Sequence, residues 1–306
     1  MRFTSPKLHG AGFFLKMENL IDFSLGFGLG AALLGAASNL LAHRLLLKIE
    51  PKNYISLNFL ILAIILLPLL PFYFQFEITP QSIKLFFLAG LMDALANYFF
   101  FLSFRFLPVV TASSLLAISP LFTLALQPLL DDTSSWPLLS TFGVLICVVG
   151  IVWLIQSTRI IPDTESKTQT KNLTWMYPVI CAAVFGANVY LTRNLFLQEF
   201  TNPISYYFLR SLLLALIFWV LLKPTLNGVN ITLLWVILLR AVFVAAQWLL
   251  MLYGFMIAVP TVVKTASEVT PLFVLGFELI FRRRKPSTQT ILAAFTLVIG
   301  LILLTI

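Results

Sequence analysis

The chain has 306 residues, of which 60% are hydrophobic and 10% are Asp, Glu, Lys or Arg, against roughly 45–50% and about 25% in soluble domains. A mean hydropathy of +0.98 excludes an ordinary cytosolic enzyme, a disordered chain and a secreted disulfide scaffold. The formal net charge is +8, and its largest cluster, Arg282-Arg283-Arg284-Lys285, follows an apolar run and reads as a membrane-edge anchor, not as a nucleic-acid surface.

Residues 1–22 form an N-terminal tail without a clean apolar core and small-residue cleavage site, so the first span is expected to act as an uncleaved insertion signal. Apolar runs near the length that crosses a bilayer, about 20 residues, follow in order. They predict helices over 23–47, 54–74, 83–104, 109–130, 137–156, 175–197, 203–222, 231–257, 259–281 and 287–306. Pro108 and Pro260 mark two very short connections, since proline fits the first turn of a helix. The longest connection, 158–174, is the one plausible linker and divides the helices five and five. Cys147 and Cys181 lie within apolar runs, His9 and His43 are the two histidines, and no cofactor or metal motif is present. No cofactor, metal or disulfide is therefore expected.

The two halves resemble each other. Asn53, Ile55, Ser56, Phe59 and Leu60 recur as Asn202, Ile204, Ser205, Phe208 and Leu209 at an offset of 149. Ala96-Asn97-Tyr98 aligns with Ala246-Gln247-Trp248 at 150, Ser119-Pro120-Leu121-Phe122 with Thr270-Pro271-Leu272-Phe273 at 151, and Gly150 with Gly300 at 150. An odd number of spans per repeat places the halves in opposite orientations. The expected fold is an all-α polytopic membrane protein with ten transmembrane helices as two inverted five-helix repeats, an architecture that carries its substrate site near the midplane.

Phe185-Gly186-Ala187-Asn188 opens the second repeat, and Arg210 stands early in the seventh helix. The Pro-x-Phe elements at Pro120 and Pro271 run on to Gly150 and Gly300. In these features the chain resembles the EamA-type transporters of the drug/metabolite transporter superfamily. The resemblance implies a first EamA-like repeat over 23–157 and a second over 175–306. It also implies secondary transport of a small polar metabolite, often an amino acid, by a multi-pass protein of the bacterial inner (plasma) membrane. Ile61 stands where the second repeat has Arg210, and Asp131-Asp132 where it has Arg283-Arg284.

Charges within spans cost roughly 2.5–3.5 kcal/mol each on insertion scales, so they seek the bundle interior or a wet cavity. Asp93, Arg210, Arg240, Lys264 and Glu268 lie well inside the predicted helices. Lys264 and Glu268 are one helical turn apart and share a face. Glu268 also precedes Pro271, whose ring frees the Ser267 carbonyl. The pair reads as a substrate clamp or proton-coupling carboxylate, or as a structural ion pair. Asp93 and Asn97 share a face, as do Arg240 and Gln247, which allows Asp93 and Arg240 to pair across the halves or to meet the two charges of a zwitterion. Asn39, in a stripe with Gly35 and His43, and Asn188, with Thr192, supply amides that suit amino or carboxyl groups or that bond between helices. Tyr98, Trp248 and Tyr253 are candidates to stack on a substrate ring.

The expected function is a secondary transporter, not an enzyme, moving an amino acid or related zwitterion or anion by alternating access. Its partners are the small-molecule substrate, a possible coupling proton and the lipid bilayer, with no nucleic acid; the oligomeric state is open. A membrane enzyme acting on lipid-linked substrates and a non-transporting accessory subunit are the other two classes. Twelve Lys and Arg fall on the side of the odd-numbered connections and five on the side of the termini. This distribution puts the odd connections in the cytoplasm, whereas the resemblance implies termini inside.

Overall fold

The computed structural model describes residues 17–130, 138–159, 174–225, 228–257, 260–282 and 287–303, and the regular elements among them are helices. The first half runs α1 (Met17–Lys48), α2 (Pro51–Leu66), a 3-10 turn (Leu67–Leu69), α3 (Leu70–Tyr73), α4 (Pro80–Phe106), α5 (Val109–Leu116), α6 (Ser119–Leu130) and α7 (Leu138–Arg159). The second runs α8 (Met176–Leu197), α9 (Pro203–Leu222), α10 (Ile231–Ile257), α11 (Pro260–Ser267), α12 (Thr270–Phe277), a π turn (Glu278–Arg282) and α13 (Thr288–Leu303). Asp131-Asp132, Arg283-Arg284-Lys285, positions 1–16 of the tail and most of the 158–174 connection lie outside the described residues.

Local chemistry sets the helix starts. Ser82 N–H donates to Thr79 Oγ1 at 3.1 Å while Thr79 N–H donates to Ser82 Oγ at 2.9 Å, with Pro80 in the first turn of α4. At the start of α9, Asn202 Oδ1 accepts from Ser205 N–H at 2.9 Å. Such a cap contributes about 1 kcal/mol.

Three predicted runs are interrupted. The run over 109–130 breaks at Ala117 and Ile118, and the run over 259–281 breaks at Glu268 and Val269. Each later segment carries proline at its second residue, Pro120 or Pro271, which has no N–H and crowds the carbonyl four residues back. The Ser267 carbonyl freed in this way accepts from Thr270 Oγ1 at 2.6 Å. Pro68 and Pro71 do the same to the run over 54–74 and produce the 3-10 turn.

Among the described residues, six helices are long and apolar enough to cross a membrane: Leu25–Lys48, Pro51–Tyr73, Pro80–Phe106, Met176–Leu197, Pro203–Leu222 and Ile231–Met256. Val109–Thr123 and Thr288–Gly300 are shorter apolar helices. The surface carries Leu91, Leu95, Leu216, Val220 and Leu239, while Ser56, Asn58, Asp93, Asn97 and Arg210 are buried. In water so large an apolar surface would be an aggregation liability. In hydrocarbon it matches the solvent, and helices suit that medium because they satisfy backbone groups internally.

Helices of the first half pack chiefly on helices of the second: α1 on α10 and α11, α4 and α6 on α8, α2 on α9, and α7 on α13. The inner face of α1 is built of small residues, with Ala31, Ala32, Ala36 and Ala42 fully buried, so neighbouring backbones approach closely. The α7–α13 crossing is close as well. A Cβ on Gly150 would lie 2.9 Å from the Leu297 nitrogen, and a Cβ on Gly300 would lie 2.7 Å from the Cys147 nitrogen.

At one end of the bundle the α3–α4 connection is laced to the α8–α9 connection. Phe76 and Thr201 form an isolated antiparallel bridge. Gln75 N–H donates to Ser205 Oγ at 2.8 Å, Glu77 N–H to the Phe200 carbonyl at 2.8 Å, and Asn202 Nδ2 to the Tyr73 carbonyl at 2.6 Å. Elsewhere Thr225 N–H donates to Asn53 Oδ1 at 2.9 Å. Asn53 and Asn202, matched in the sequence repeat, thus both tie their helix to a connection of the opposite half.

Candidate functional site

The buried polar groups gather around a cavity between the halves. Its larger lobe encloses about 800 Å³ of atom-free space, including the solvent it opens to. Asn39 of α1, Asn58 of α2, Asn97 of α4, Arg240 and Gln247 of α10, and Lys264 and Glu268 at the α11 break line it. A smaller lobe, with about 350 Å³ of atom-free space that likewise includes open solvent, is lined by Asp93, Asn188, Thr192, Tyr206, Arg210 and Lys264. Phe185, Arg210, Trp248, Met251 and Lys264 border both lobes.

Three arrangements of charge define the chemistry. Asp93 of α4 pairs with Arg210 of α9, each 2% exposed. Tyr206 Oη donates to the same carboxylate at 3.4 Å and meets Thr192 Oγ1 at 3.1 Å. The Arg210 guanidinium lies 4.8 Å from the Trp248 ring centroid and 5.5 Å from that of Tyr207, close enough for cation–π attraction. Lys264, in the last turn of α11, pairs with Glu268, which sits where the helix breaks. Arg240, 3% exposed, donates from Nη1 to Asn58 Oδ1 and packs against the rings of Phe101 at 5.3 Å and Tyr54 at 5.9 Å.

The structure places the eight residues singled out from the sequence as follows. Lys264, Glu268, Asn97, Arg240, Gln247 and Asn39 border the larger lobe, and Asp93 and Asn188 the smaller. Two of them are also engaged locally: Asn97 Nδ2 donates to the Asp93 carbonyl at 2.8 Å, and Asn39 Nδ2 to Ser113 Oγ at 3.3 Å. Gln247 sits against Gly35, where a Cβ would come within 2.8 Å of Nε2. The Asn188 Oδ1 has no hydrogen-bond partner among the described residues.

Two expectations are corrected. Asp93 does not pair with Arg240; its partner is Arg210, because α4 packs on α9 there and Arg240 is turned toward α2. Tyr98 does not border the cavity: it sits on the outer side of α4, beside Phe99. His43, part of the Asn39 stripe, donates from Nδ1 to the Phe104 carbonyl at 2.7 Å and so ties α1 to α4. Sequence reasoning missed Asn58. The signal was available, since an amide within the apolar run over 54–74 must find a partner, and Arg240 is that partner.

An apolar helical exterior around a charged internal cavity is the construction of a multi-pass integral membrane protein. The EamA-like transporter family model matches residues 23–156, which is the part of the chain that is similar to an EamA domain. A solved structure, described only as a crystal structure of a protein, superposes with a TM-score of 0.64 over 92% of this chain and 95% of its own, at 15% identity. At that identity the likeness speaks for the fold alone. No curated protein matches the chain in sequence.

Proposed function

We propose that this protein is a secondary transporter that moves a small polar organic metabolite, an amino acid or related zwitterion or anion, by alternating access. The proposal includes ten spans in two inverted repeats, 23–157 and 175–306. The carrying observation is the cavity between the halves, into which both halves send charged and amide side chains. An unpaired charge at this depth costs several kcal/mol, so a cluster of them is retained where water or substrate reaches it. The reciprocal packing of α1 on α10 and α4 on α8 supports the two-repeat plan, as does a family match that ends at residue 156. In this reading Lys264, Glu268, Asp93, Asn97, Arg240, Gln247, Asn39 and Asn188 form the substrate site.

Proteoliposome flux tests the proposal. A carrier saturates with substrate and shows counterflow when substrate is loaded on the far side. Current recordings with long single-channel openings and no saturation would replace the carrier with a channel. Product formation by the purified protein would replace it with an enzyme.

A further inference from the structure

The cavity's charges do not cancel. Arg210, Arg240 and Lys264 face it with three formal positive charges, and Asp93 and Glu268 with two negative ones. Both carboxylates are already committed, Asp93 to Arg210 and Glu268 to Lys264. Arg240 is therefore left with no carboxylate partner among the described residues. Among the described residues its guanidinium meets one amide oxygen, from Asn58, and the faces of two rings, and its Nε has no hydrogen-bond partner there. A guanidinium offers five donors in a planar fork, and a buried guanidinium lacking a counter-ion is expensive.

Helix packing does not require a cation at this position. The residue 150 positions earlier, where the repeat alignment puts the equivalent of Arg240, is Gly90, and it packs closely on Leu213 of α9. A comparable helix contact is thus made with no side chain at all.

We propose that Arg240 anchors the anionic end of the transported molecule and that the site takes an organic carboxylate of net charge −1 in preference to a zwitterion or a cation. The inference rests on the carrier reading and narrows its substrate class. A carboxylate matches the guanidinium fork in two parallel hydrogen bonds and brings the cavity's formal charge to zero. Phe100, Phe185 and Trp248 on the cavity wall offer apolar surface to the body of the same molecule, so a ring-bearing acid fits both features.

The test uses the purified full chain in detergent and two acid–amide pairs, benzoate with benzamide and phenylacetate with phenylacetamide. Specific binding raises the melting temperature by mass action. The acids are expected to bind at least about tenfold more tightly than their amides, the size of one charge-assisted hydrogen-bond pair. Arg240→Gln is expected to erase that difference, and Arg240→Lys to keep part of it. If Arg240→Gln does not fold, the wild-type comparison and Arg240→Lys decide the matter without it. Equal binding of acid and amide, no stabilisation by any of the four probes, or full discrimination in Arg240→Gln would overturn the assignment. Flux of radiolabelled phenylacetate into proteoliposomes separates the two levels. Acid-selective binding without counterflow removes the carrier reading, whereas counterflow of zwitterions or cations with no preference for acids removes this inference and leaves the carrier.

Discussion

The two ion pairs of the interior are held in different ways, and this difference predicts how each responds to mutation. Asp93 and Arg210 come from different helices and are both almost fully buried, so neutralising one leaves a charge with nowhere to turn. Asp93→Asn should destabilise the protein by about 3–5 kcal/mol, the usual cost of breaking a buried pair from one side. Asp93→Asn/Arg210→Gln should recover part of that loss, read as melting temperature in detergent. Lys264, in the last turn of α11, and Glu268, just past its end, lie beside a larger space, and their removal should spare the fold. Glu268→Gln is expected to lower flux at least about tenfold while expression and melting temperature stay near wild type. A Lys264→Met/Glu268→Met protein that folds and transports at the wild-type rate would exclude both residues from the site. That these charges matter was legible in the sequence, because the cost of a charge in hydrocarbon needs no structure to state. Their pairing was not legible. Whether Asp93 meets Arg210 or Arg240 depends on the lateral order of helices, which hydropathy does not encode.

Helices read from apolar runs coincide with the observed ones at 203–222 and 231–257 and differ by a few residues at most other ends. The breaks within 109–130 and 259–281 are another matter, since hydropathy passes through a proline without interruption. The matched Pro120 and Pro271 were visible in the sequence. That each divides its helix in two, and that Glu268 falls in one of the gaps, required coordinates. Glycine carries similar information about contact. Gly150 and Gly300 were matched by their spacing, and the structure gives the physical reason, because each lies against the backbone of the opposite helix. Gly300→Leu therefore has no space to occupy and should destabilise the protein by about 1–3 kcal/mol, the usual range for overpacking. The same change at Gly276, which has open space around its Cβ position, is the control. Equal melting temperatures for the two variants would show that the crossing tolerates a side chain.

For the whole molecule, the distribution of positive charge predicts that the 158–174 connection is cytoplasmic. Ser166→Cys should resist an impermeant thiol reagent in intact cells and react after permeabilisation; labelling in intact cells would reverse the orientation. The α7–α13 crossing bears on the chain's connectivity. Residues 150 and 297 meet, and residues 147 and 300 meet, so the same contact is made twice, once from each half. The halves are thereby gripped by helices that lie before and after the segment that joins them in sequence, and the covalent link is expected to be dispensable for assembly. Two polypeptides, divided within 160–173 and co-expressed, should associate in the membrane and co-purify on a tag carried by only one of them. Gly300→Leu in the second fragment should abolish that association. Recovery of the tagged fragment alone, with both unmodified fragments expressed, would show that the covalent link is needed.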